Sequence, residues 1–157
     1  MTARVLVTGI SGYIGQHIVA ELLRHGYDVV GTVRSASKTT QTTSAIASVP
    51  PVDNLTFAED ALLSDTGWDE AMAGCTYVIH VASPFVMAEP KDEKDLITPA
   101  VDGTKRVVQA AQRAGVSRLV LTSSIFAMIA GKDSGRYGPD SWSDTDANIG
   151  AYAKSKT

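Results

Sequence analysis

Cysteine is almost missing from this sequence: Cys75 is the only one in 157 residues. That excludes an internal disulfide and any multi-cysteine zinc site, and no metal site is expected. Long apolar runs are missing too, none approaching the roughly 20 residues of a membrane span. There is no strong charge excess. Lys plus Arg number 14 against 17 Asp plus Glu, a net charge of −3, which offers no overall attraction for nucleic acid or an anionic membrane. The N-terminus, Met1 to Arg4, enters an apolar strand at once without signal-peptide anatomy, so the expected compartment is a reducing cytoplasm. What is present is ordinary globular composition, 44% hydrophobic and 20% charged. A chain of this size can bury roughly 70% of its unfolded surface. One domain spanning 1–157 is expected.

Short apolar runs alternate with longer stretches of helical period. Strands are expected at 4–8, 28–33, 55–58, 77–82 and 116–122, the first and last reading RVLVT and VSRLVLT. Ile14, Ile18, Val19, Leu22 and Leu23 form the stripe of a helix over 13–25, which Gly26 ends. Further helices are expected over 62–73 and over about 96–114, the latter interrupted early by Pro99. Parallel strands need crossovers of this length, so the fold class is α/β, a doubly wound parallel sheet with helices on both faces. Strands of continuous apolar character agree, since they are buried on both sides. Ser35 to Ser48 holds eight Ser or Thr in fourteen positions and reads as a surface loop with a short helical piece near its end.

Between the first strand and the first helix stands TGISGYIG, residues 8–15. In a dinucleotide site Gly9 permits the tight turn, Gly12 lets a pyrophosphate approach the backbone, and Gly15 lets the helix pack closely on the sheet. The phosphates then sit at the helix N-terminus, where N–H groups and the dipole favour anions. The spacing is Gly-x-x-Gly-x-x-Gly, not Gly-x-Gly-x-x-Gly. The residue after the second strand is Arg34. An acid there favours NAD through the ribose hydroxyls, whereas an arginine holds a 2′-phosphate, so NADP(H) is expected, with Lys38 assisting. In isolation Arg34 reads equally as a solvated cation.

Tyr152 and Lys156 lie four apart, on one face of a helix. A phenol of pKa about 10 is a poor acid–base group at neutral pH, and a nearby ammonium stabilises its phenolate. Alone, such a pair usually means two exposed residues. Thr122-Ser123-Ser124 ends the fifth strand, and the carboxyl ends of parallel strands are where such sheets bind ligands, so a serine there is placed to hydrogen-bond a substrate carbonyl. Other residues have plainer readings. His80 is expected to be a packed core histidine, His17 and His25 surface residues, and Cys75 a space-filler. Trp68 should pack the third helix on the sheet, Trp142 is a loop anchor or a substrate-side aromatic, and the charged run Glu89 to Asp95 is a solvated loop or helix start.

Taken in order, TGISGYIG, Arg34, Asp60, HVASP at 80–84, TSS at 122–124 and YAKSK at 152–156 resemble the extended short-chain dehydrogenase/reductases. PAVDGT at 99–104 and SWSD at 141–144 are similar to the branch of dihydroflavonol reductases, cinnamoyl-CoA reductases and related microbial carbonyl reductases. The resemblance implies a Rossmann-type fold and an NADPH-dependent reductase of aldehyde or ketone carbonyls. It implies Ser124, Tyr152 and Lys156 as the catalytic set, with Tyr152 donating a proton and Lys156 lowering its pKa and holding the nicotinamide ribose. Gly9, Gly12, Tyr13, Ile14 and Gly15 would line the pyrophosphate, Asp60 with Ala61 or Leu62 the adenine, and Val81, Ala82 and Ser83 the nicotinamide side. Ala100 stands where many relatives carry asparagine, as this branch commonly does.

Members of that branch are about twice this length, so the chain reads as an N-terminal cofactor-binding half lacking the substrate region. The expected partner is a small carbonyl substrate, with no nucleic acid or membrane, and helices of this fold can pair subunits into a homodimer. Two other functions fit the motifs less well: an NAD-dependent nucleotide-sugar epimerase or dehydratase, against which Arg34 and SWSD weigh, and a dinucleotide-binding module without chemistry.

Overall fold

A computed structural model describes residues 2–46, 52–59, 62–86 and 88–157. The elements run β1 (Arg4–Val7), α1 (Tyr13–Arg24), β2 (Asp28–Val33), α2 (Ala36–Ile46), β3 (Leu55–Glu59), α3 (Trp68–Met72), β4 (Tyr77–His80), α4 (Lys94–Arg113), β5 (Arg118–Leu121), α5 (Phe126–Ile129) and α6 (Gly150–Lys156). The chain divides into two compact units, Met1–Ser83 with Thr104–Leu121, and Pro84–Gly103 with Thr122–Thr157.

The first unit holds all five strands in one parallel sheet, ordered β3-β2-β1-β4-β5. Alternation along the central strands divides its core. Val5, Val7, Val29 and Val33 face Ile10, Val19, Ala20, Leu23 and Ile46 on one side. Leu6, Val30 and Val78 face Trp68, Ala71, Met72, Cys75, Val107, Ala110 and Ala111 on the other. The sheet is therefore doubly wound, and Trp68 packs where the sequence places it. Burial on both faces holds for β1 and β2 but not for the edge, where Val120 and Leu121 of β5 are half exposed. Successive strands are added outward from β1 in both directions, so a switch point lies at β1, and the turns after β1, β2 and β4 share one end of the sheet.

Several elements depart from expectation. The Ser/Thr-rich segment is not a loop: Ala36–Ile46 is a helix whose Thr42 and Ile46, one turn apart, are buried. Ala47 and Ser48 lie outside the described residues. The third helix is five residues long, not twelve, because Gly67, in the left-handed region at φ 95°, precedes it. Upstream, the Ser64 hydroxyl takes the Thr66 N–H at 3.2 Å, and the Ser64 carbonyl takes the Trp68 indole N–H at 3.1 Å. The fourth and fifth strands are shorter than expected, and α4 starts two residues earlier and carries Pro99 inside it. Among the described residues no helix is long and apolar enough to cross a membrane.

The second unit holds α5, α6 and the first part of α4. Ser143 clips the SWSD segment to α5, its N–H donating to the Ala127 carbonyl at 2.8 Å and its hydroxyl to the Phe126 carbonyl at 2.9 Å.

Candidate functional site

In the first unit the site is built from the glycine turn outward. Gly9 sits at φ +69°, and a Cβ there would lie 3.0 Å from Ala82 Cα, so geometry and space both demand glycine. Gly15 has the least room: its Cβ would come within 2.5 Å of the Gly9 carbonyl oxygen and 2.8 Å of Ile10 Cα. It packs the helix against the turn itself, not against the sheet as its spacing suggests. Gly12 differs. Its φ is −84°, and its Cβ would meet only the Gly9 oxygen, at 3.4 Å. Gly12 is also the N-cap of α1, which has no side-chain cap and no acid in its first turn. The first N–H groups of a helix have no intrahelical partner. A packed turn ending in an open, uncompensated helix start fits a pyrophosphate. Tyr13 and Ile14 are well exposed beside it.

Strand ends hold this turn. The Gly9 N–H donates to Thr32 Oγ1 at 3.3 Å and the Ile10 N–H to the Thr32 carbonyl at 3.3 Å. Ile10 is buried over Gly31, where a Cβ would meet its Cδ1 at 2.1 Å. From the other side, Thr8 Oγ1 accepts the N–H groups of Val81 and Ala82, both at 3.0 Å, and lies 2.7 Å from His80 Nδ1. A hydroxyl has two lone pairs and one proton. With both lone pairs taken, its proton goes to Nδ1, so the neutral His80 ring carries its hydrogen on Nε2. His80 is a core histidine, as expected, and it also orients the Thr8 hydroxyl. Spacing hides this partnership, because the residues are 72 apart. Thr8→Val should destabilise the chain by about 2 kcal/mol by leaving two half-buried N–H groups without an acceptor. Chemical denaturation checks this, with an unchanged midpoint as the contrary result; a long-range ¹H–¹⁵N spectrum should find the ring proton on Nε2.

The remaining first-unit candidates are placed unevenly. Arg34 follows Val33 directly and is exposed at the same sheet end as the turn; Lys38, on α2, is exposed and donates to Gln41 Oε1 at 3.0 Å. Asp60 and Ala61 lie outside the described residues. Leu62 is half-buried against the second core cluster. Val81 and Ala82 are half-buried and tied to Thr8, and Ser83 is exposed after them.

The second unit holds Ser124, Tyr152 and Lys156. Ser124 is half-buried, and its hydroxyl accepts the Phe126 N–H at 3.3 Å. Tyr152 lies edge-on to Phe85 and Phe126, with ring centroids 5.6 and 6.0 Å away. One turn on, Lys156 Nζ is 5.4 Å from the Tyr152 ring centroid, so the pair does share a face. Burial strips water from the ammonium and pushes Lys156 below the ordinary lysine range. An aromatic-walled phenol beside a poorly hydrated cation is suited to moving a proton. Trp142 is exposed, and His17 and His25 are surface residues, as expected.

The family model described as NAD dependent epimerase/dehydratase family matches residues 5–157. Dihydroflavonol 4-reductase of Hordeum vulgare is 36% identical over 144 residues, covering 90% of this chain and 41% of the relative. Aldehyde reductase 2 of Sporidiobolus salmonicolor is 35% identical over 170 residues, covering 98% and 49%. The crystal structure of yeast methylglyoxal/isovaleraldehyde reductase Gre2 complexed with NADPH superposes with a TM-score of 0.81 at 29% identity, covering 98% of this chain and 49% of that one. The chain spans half or less of the length of these relatives.

Proposed function

Because the chain belongs to the NAD dependent epimerase/dehydratase family, we propose that it is the cofactor-binding and proton-donating part of an NADPH-dependent reductase of aldehyde or ketone carbonyls. The observation that carries this reading is the Tyr152–Lys156 pair, one helical turn apart, with the lysine half-buried. Two similar proteins bear reductase names, and a third was solved with NADPH.

A bound nicotinamide supplies hydride to the carbonyl carbon. The chain's own residues do the rest. The α1 start and Gly12 hold the pyrophosphate, Arg34 and Lys38 the 2′-phosphate, and Val81, Ala82 and Ser83 the nicotinamide side. The adenine falls to Asp60, Ala61 and Leu62. Ser124 hydrogen-bonds the carbonyl oxygen as charge develops on it, and Tyr152 passes its hydroxyl proton to that oxygen. Lys156 stabilises the resulting phenolate and holds the nicotinamide ribose.

Arg34 supports the phosphorylated cofactor, since a guanidinium pairs with phosphate in a two-point, charge-assisted contact. Fluorescence titration of the chain should show NADPH binding more tightly than NADH. Arg34→Ala should weaken NADPH by about tenfold, the loss of one charge-assisted contact, and leave NADH unchanged. Equal weakening of both would contradict the assignment.

A further inference from the structure

Tyr152 rides on the first turn of α6, where the leading N–H groups of a helix need partners from outside it. Local sequence does not cap it: Ile149 at its N-cap offers no side-chain bond, and its first turn has no acid. Both deficits are met from the charged run that its composition marks as solvated. The Ala151 N–H donates to Glu89 Oε2 at 3.2 Å, across 62 positions of chain. This carboxylate stands in for a capping oxygen at the end of the helix where the dipole favours negative charge. The approach is so close that a Cβ on Gly150 would lie 2.5 Å from Glu89 Oε1, and Gly150 itself is left-handed, at φ +77°. One helical turn further, Lys154 Nζ donates to both carboxylate oxygens of Glu93, at 3.1 and 3.0 Å. The Lys154 side chain is only 21% exposed, which shelters this pair more than an ordinary surface bridge.

The two contacts fall at Ala151 and Lys154, on either side of Tyr152. We propose that Glu89 is a positioning residue for Tyr152, with Glu93 as a second anchor, each holding α6 in the register that presents the phenol. Glu89 touches no reacting atom; it acts through the helix backbone. This rests on the reading of Tyr152 as proton donor, and the test separates the two.

Glu89→Ala and Glu89→Gln are compared with the unaltered chain by amide hydrogen exchange, by reduction of a panel of aldehydes with NADPH, and by NADPH titration. Glu89→Ala should speed exchange at Ala151 and its neighbours by about fivefold, the effect of losing one cap, with β1 and α1 unaffected. It should lower kcat by more than it weakens NADPH, because the pyrophosphate and 2′-phosphate contacts proposed on α1, Arg34 and Lys38 do not depend on α6. Glu89→Gln keeps a carbonyl oxygen at the same reach and should recover most of both. Unchanged exchange at Ala151 in Glu89→Ala, or a Glu89→Gln variant no better than alanine, would overturn the proposal. Faster exchange with glutamine rescue, together with turnover in the full-length reductase that Tyr152→Phe leaves intact, upholds the anchor and removes Tyr152 as proton donor.

Discussion

Tyr152→Phe, made in the full-length reductase of which this chain is proposed to be a part, should lower the rate of carbonyl reduction by about 10²–10⁴-fold, the usual worth of a positioned acid–base group. The substitution isolates one atom. A phenylalanine ring keeps the edge contacts to Phe85 and Phe126 and the place of Lys156 Nζ over the ring, so packing and helix position survive while the hydroxyl is lost. NADPH affinity should be unchanged. The pH profile of the unaltered full-length reductase carries a related signature. Lys156 titrates below the ordinary lysine range because burial disfavours its ammonium. As pH rises through that lowered value the cation beside the phenol is lost, so the alkaline fall in rate should begin earlier than a solvated lysine allows. Steady-state kinetics across pH check both statements. A Tyr152→Phe variant that turns over like the parent removes the proton-donor role.

The second large effect separates two glycines that look alike in the sequence. Gly9→Ala should destabilise the chain by about 3 kcal/mol, combining a left-handed backbone that alanine resists with crowding against Ala82. It should also weaken NADPH, because the turn and the start of α1 shift together. Gly12→Ala should do only the second. Its φ of −84° suits alanine, and the added methyl meets nothing closer than 3.4 Å, but it projects where the pyrophosphate is proposed to lie. Denaturation midpoints and NADPH titrations on both variants give the answer. If Gly12→Ala binds NADPH as tightly as the parent, the pyrophosphate does not approach this backbone. If Gly9→Ala keeps its midpoint, the strain argument fails.

These glycines also show how far the sequence could be read. β1, the turn and α1 were legible because each signal is local: a β-branched run, three glycines at fixed offsets, and apolar residues at helical spacing. Tyr152 and Lys156 were legible for the same reason, being one turn apart. α2 was not, because Ser and Thr compete for backbone hydrogen bonds and favour loops, whereas the burial that supports the helix, of Ile46 in the first core cluster and of Thr42, is tertiary. The short α3 was hidden by Leu62 and Leu63, which prolong the apolar pattern across a turn that Gly67 sets. What supports the candidate site was least legible. Thr8 with His80, Ile10 over Gly31, and Glu89 with Ala151 join positions far apart in the chain, and no periodicity records such pairs. The run from Glu89 to Asp95 has the composition of a solvated surface, yet two of its carboxylates hold α6.

The central proposal is that this chain forms the cofactor-binding and proton-donating part of a reductase that transfers hydride from NADPH to a carbonyl, and isotopic labelling tests it most directly. A protein joining this chain to a substrate region, at the full length of its relatives, is incubated with NADPH deuterated at the transferable position and a panel of aldehydes and ketones, with labelled NADH in parallel. The account predicts an alcohol that carries the deuterium on its former carbonyl carbon, formed one for one with oxidised NADP and faster than with NADH. Cofactor binding without label in any product, or transfer from NADH at an equal rate, would contradict it.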